Sequence, residues 1–168
     1  MTHELLPAIG TALAGVSIAL FLCAALHDVV ARTVPNGLAL ALAITGLAAR
    51  LIDANLMLGV AMGVIVFVLA ALCWRRGWMG GGDVKLLGAG AIAVPPTHVV
   101  SFITVMAIAG GILALVYLVG RSLPAWHPGR RPGSLPARIA RVECWRLHRG
   151  GPLPYACAIA AGGLFVLL

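Results

Sequence analysis

A chain of 168 residues that is 61% hydrophobic and only 10% charged, with a mean hydropathy of +1.04, falls outside the range of soluble domains, whose apolar share is roughly half. Its twelve Lys and Arg against five Asp and Glu would suggest nucleic acid in a soluble protein; in a membrane chain the same surplus reads as topology, because positive residues gather in cytoplasmic loops. No nucleic-acid partner is therefore expected, and Cys23, Cys73, Cys144 and Cys157 stand alone without CxxC or Cys/His spacing, which argues against a metal site and leaves no cofactor implied.

The composition predicts an all-α polytopic membrane protein of about six transmembrane helices, since apolar runs of about twenty residues can cross a bilayer. The first run extends from about Ala8 to Leu26, with Gly10, Gly15 and Ser17 spaced to let another helix pack closely. The start Met1-Thr2-His3-Glu4 has no basic n-region, so this run is expected to remain as a membrane helix rather than be cleaved as a signal. It ends in His27-Asp28, and Pro35 disfavours helix at Val34, so the chain turns before a second run over about Gly37–Ile52.

Asp53, Ala54 and Asn55 make a very short connection to a third run from Leu56 to about Cys73, which Trp74-Arg75-Arg76-Gly77-Trp78 closes as an aromatic and basic interface belt. Met79-Gly80-Gly81-Gly82-Asp83-Val84-Lys85 follows, and then a short run from Val84 to Val94 stopped by Pro95-Pro96. That run is too brief for a perpendicular crossing and predicts a half-span or a locally thinned membrane. A fifth run covers about Val99–Val119, and a last one reaches from Pro152 to Leu168.

Between those two, residues 121–151 form a basic loop with four prolines and seven arginines inside a single domain of residues 1–168. Leu135, Ile139, Val142 and Trp145 recur there at helical spacing among arginines, the pattern of a short interfacial helix on anionic lipid. A solvated charge run without fixed structure is the alternative, because prolines disfavour a helix.

With the N-terminus outside, eleven of the twelve Lys and Arg fall on cytoplasmic segments and only Arg50 faces out, a strong positive-inside signal. Two crossings separate Asp28 from Asp83, so both reach the cytoplasmic face, whereas Asp53 lies one crossing away and pairs with Arg50 on its own helix face. Two carboxylates brought together at a poorly solvated boundary do not readily both ionise; one keeps a proton and the other is a base. Such a pair can activate water for attack on a peptide carbonyl, or relay protons through a small transporter or channel subunit. The glycines strip bulk from the backbone beside Asp83 and offer close approach to a substrate chain.

These residues resemble the type IV prepilin peptidases, a family of GxGD intramembrane aspartyl proteases. Asp28 followed by Val34-Pro35-Asn36 is similar to that family's first motif, Met79 to Leu86 to its GxGDxKL motif, and Pro154-Tyr155 with Ala158-Ile159-Ala160 and Gly162 to the signature of its last helix. The resemblance implies Asp28 and Asp83 as the catalytic pair. It places Gly80, Gly81, Gly82, Lys85, Pro35, Asn36, Pro154 and Tyr155 around the substrate, with no metal ligand among them. Lys85 sits two residues from Asp83 and so on another helix face; anchoring to lipid phosphates or shaping the local potential is its expected role, and His27 is expected to be an interfacial residue.

The implied activity is removal of the basic leader from a prepilin-like protein at the cytoplasmic face of a bacterial inner membrane, with membrane lipid as the other partner and self-association left open. The chain lacks the paired-cysteine insertion of the longer, N-methylating members and looks like the compact subgroup serving Flp or tight-adherence pili, the archaeal-type preflagellin peptidases being compact as well. Ala156 stands where many members have glycine. A non-catalytic pilus-assembly anchor is a third reading.

Overall fold

The computed structural model describes residues 2–122 and 153–168, together with residues 134, 138, 141, 142 and 145. Apart from those few positions, the interfacial helix expected over residues 135–147 lies outside the described residues. The described chain is all-helical: α1 (Thr2–Ala31), α2 (Asn36–Ile52), α3 (Leu56–Arg75), α4 (Gly81–Ala93), α5 (Val99–Ser122) and α6 (Tyr155–Leu167), with a 3₁₀ turn at Pro96–His98. Leu5–Ala31, Leu56–Arg75 and Pro96–Ser122 are long and apolar enough to cross a membrane, while α2 and α6 are shorter apolar helices. The protein is a polytopic membrane protein.

The organising element is α4, a helix of 13 residues that begins within the glycine run. Val84 and every residue from Leu86 to Ala91 are buried, as is Ala93, because α2, α3 and α6 all pack on it. At 1.5 Å per residue its 13 residues rise only about 20 Å, against roughly 30 Å of hydrocarbon. The expectation of a short span is therefore right in length. Protein covers the helix, and the buried Val94, Pro96 and Val99 continue the packed interior beyond its end.

Small residues make this density attainable. A Cβ on Gly46 of α2 would lie 2.7 Å from the Ala93 backbone, so α2 and α4 touch almost backbone to backbone, and Gly163 of α6 lies under the Phe21 ring. Phe21 and Phe102, both fully buried, sit 6.2 Å apart between centroids. Association of helices in lipid relies on such close van der Waals packing, since lipid tails are as apolar as leucine.

Two expectations about α1 need correction. Gly10 and Gly15 meet nothing within 4 Å; of the three small residues only Ser17 packs, buried and 3.4 Å from the Thr45 hydroxyl of α2. The helix also does not stop before His27-Asp28 but continues to Ala31. His27 Nδ1 meets the Thr33 carbonyl oxygen at 2.6 Å and Arg32 N–H donates to the Asp28 carbonyl at 2.8 Å, so the polar pair closes the helix from within its last turns.

Candidate functional site

Because α1 ends where α2 and α4 begin and where α6 starts, four helix ends meet at one end of the bundle. They enclose a cavity of about 920 Å³ whose wall includes both Asp28 and Asp83. Asp28, in the last turn of α1, is only 7% exposed. One of its oxygens accepts a hydrogen bond of 3.1 Å from the Ala156 N–H in the first turn of α6, an N–H that has no partner inside its own helix. The start of the last helix therefore holds the Asp28 carboxylate in place.

Asp83 is positioned differently. It is the third residue of α4, counted from an N-cap at Gly80, and its carboxylate accepts the Gly80 N–H. That is the return half of a capping box, in which the N3 acid reaches back to the N-cap amide. A Cβ on Gly80 would stand 3.0 Å from the Asp83 Oδ2, so a bare backbone at this position is what leaves the acid room. The helix starts inside the glycine run, not after it as the sequence suggested, because this contact caps it there.

The two carboxylates lie within electrostatic reach of each other, and Tyr155 lies within reach of Asp83. Asp53 belongs to another place: its Oδ2 pairs with Arg50 Nη2 at 3.0 Å, at the end of α2 remote from Asn36, as the residue spacing required.

The remaining residues singled out in the sequence divide by what they touch. Gly80, Gly81, Gly82, Asn36, Lys85 and Tyr155 line the cavity, whereas Pro35 and Pro154 are the N-caps of α2 and α6 and set where those helices begin. A Cβ on Gly82 would meet the Val34 side chain at 3.3 Å and one on Gly81 the Trp74 Nε1 at 3.4 Å. The space left by those two absent side chains is thus bounded by the protein's own groups. Lys85 Nζ donates to Asn36 Oδ1 at 2.8 Å and so ties α4 to α2.

Several contributors were not legible in the chain. Ala156 acts through its N–H, which any residue but proline would supply, so no side chain announces it. Arg32 lines the cavity, takes a left-handed φ of 56° and donates to the Tyr117 hydroxyl at 2.8 Å, linking the end of α1 to α5. Its position in the turn after Asp28 was the available signal, but basic residues there were read as topology alone.

The sequence pattern of the type IV leader peptidase family matches residues 15–115, more than half of the chain. The chain belongs to the type IV leader peptidase family. No curated protein and no solved structure matches it. Membership makes it a leader peptidase in the general sense, and its helices make it a multi-pass membrane one. The matched stretch holds Asp28 and the whole of Gly80 to Lys85 and stops short of α6, yet the fold brings Tyr155 and the Ala156 amide to the same cavity.

Proposed function

We propose that this chain is an aspartic endopeptidase that removes the basic leader from prepilin-like proteins, of the Flp type, at the cytoplasmic face of a bacterial inner membrane. The observation that carries the reading is the apposition of Asp28 and Asp83, delivered by different helices to one cavity. Two like charges are not placed together in a low-dielectric setting for stability, because the second ionisation is opposed. They are useful when they share a proton.

In the mechanism this supports, a water lies between the carboxylates and the ionised one accepts its proton. The other, protonated, donates to the carbonyl oxygen of the scissile peptide as water attacks its carbon. Collapse of the tetrahedral species returns that proton to the pair, breaks the C–N bond and protonates the leaving amine, so the dyad ends as it began. Which acid starts protonated is a property of the pair, not of either residue. The Ala156 and Gly80 amides supply the fixed orientation that such chemistry needs.

The cytoplasmic address is supported by the charge distribution, which puts eleven of twelve Lys and Arg on the side of the aspartates. The test is cleavage of a prepilin-type substrate by membranes carrying the parent protein, Asp28→Asn or Asp83→Asn. Loss of cleavage in both variants is expected; full cleavage by either one overturns the assignment.

A further inference from the structure

The chain holds two tyrosines, and the fold treats them differently. The Tyr117 hydroxyl accepts a hydrogen bond from Arg32 at 2.8 Å. Tyr155, the first residue of α6, lines the aspartate cavity, and its hydroxyl has no hydrogen-bond partner among the described residues. A half-buried hydroxyl without a partner costs free energy that a phenylalanine in the same wall would avoid. An unsatisfied polar group of this kind calls for a functional account.

The ring is seated on bare backbone. Gly110, buried on α5, faces it so closely that a Cβ there would lie 2.9 Å from the ring Cε2 and 3.0 Å from the hydroxyl oxygen. Its neighbour Gly111 meets nothing within 4 Å, so the close approach belongs to the one position. Tyr155 N–H donates to the Leu153 carbonyl at 2.9 Å, and the next amide, that of Ala156, holds the Asp28 carboxylate. The first turn of α6 thus fixes one acid through its backbone and carries a hydroxyl donor on a side chain, within electrostatic reach of the other acid, Asp83.

The carboxylate pair presents one proton donor to a scissile carbonyl, whereas a carbonyl oxygen has two lone pairs. Negative charge builds on that oxygen as water attacks, and a second donor already in place stabilises it most at that moment. Resting on the peptidase reading above, we propose that Tyr155 is a catalytic residue whose hydroxyl donates a hydrogen bond to the scissile carbonyl oxygen, and that Gly110 is the positioning residue that seats its ring. The Tyr155 proton stays on its own oxygen throughout; the dyad alone takes the proton of water and delivers one to the leaving amine.

The test follows cleavage of a fusion of a basic leader to an apolar helix by the full chain in phosphatidylethanolamine and phosphatidylglycerol vesicles. Tyr155→Phe keeps the ring and removes the donor; kcat is expected to fall about 10²-fold, the cost of losing one oxyanion donor, with KM within twofold. Gly110→Ala should lower kcat about tenfold by displacing the hydroxyl, yet by less than twofold in the Tyr155→Phe background, where there is no donor left to displace. Gly111→Ala, on the open face of the same helix, should leave both constants within twofold. A kcat within twofold of the parent for Tyr155→Phe overturns the proposal, as does a raised KM at unchanged kcat, the mark of a ground-state contact. Equal losses from Gly110→Ala in both backgrounds, or failure of that variant to fold, overturn the positioning role and leave Tyr155→Phe to decide the catalytic one. Should the parent protein not cleave the fusion, the peptidase reading fails and this proposal with it; cleavage unchanged by Tyr155→Phe removes this proposal alone.

Discussion

The two ends of the bundle each carry buried charge and use it in opposite ways. At the α2–α3 end, Arg50 is 4% exposed and faces Asp53 at 3.0 Å, with its stem packed on Gly59. Opposite charges in contact neutralise each other there, and the surroundings close over Arg50 while Asp53 stays half exposed. At the other end Asp28 is about as buried, a second carboxylate lies within its electrostatic reach, and both line a cavity. Like charges beside open volume are a cost with no structural return, which is why that end is the place to look for chemistry.

The largest expected effect comes from removing that like pair. Asp28→Asn and Asp83→Asn should each lower kcat by about 10³-fold or more, as loss of an acid–base group does, and the double variant should be no worse, because groups acting as a unit are not additive. Additive losses in a steady-state assay would show two independent sites. Next comes placement: Gly80→Ala puts a methyl 3.0 Å from the Asp83 carboxylate and should cost up to about 10²-fold in kcat with folding intact. Unchanged kcat would show that the capping contact does not set the acid's position.

How much of this contrast the chain discloses depends on whether the signal lies in side chains. Apolar runs correspond to α1 to α6 among the described residues, counting crossings separated Asp28 and Asp83 from Asp53, and the three-residue spacing paired the latter with Arg50. The end of α1 was misjudged because His27-Asp28 looks like a polar break, whereas His27 meets the Thr33 carbonyl across the turn and keeps the helix closed to Ala31. Gly10 and Gly15 have the spacing of a packing face but no neighbour; spacing tells which residues share a side, not what lies opposite. The Ala156 amide and the Lys85–Asn36 bond, the latter between residues 49 apart in sequence, come from tertiary structure and a backbone group, which periodicity and charge counting do not reach.

Smaller effects sharpen the comparison further. Lys85→Met removes one hydrogen bond and should lower kcat/KM about fivefold, the equivalent of about 1 kcal/mol. With Asn36→Ala added the loss should barely grow, since both variants break the same contact. At the opposite end Asp53→Asn should lower unfolding free energy by only about 1 kcal/mol, its carboxylate being 45% exposed, with cleavage unchanged within twofold. A large loss of cleavage there would erase the distinction between the two ends.

The most direct test of the carboxylate pair as a peptide-cleaving device is to follow leader release and proton movement in the same reconstituted vesicles. Leader release that requires both Asp28 and Asp83, with no proton flux dependent on Asp83, is the predicted result. An Asp83-dependent flux without leader release would contradict the account and make the pair a relay.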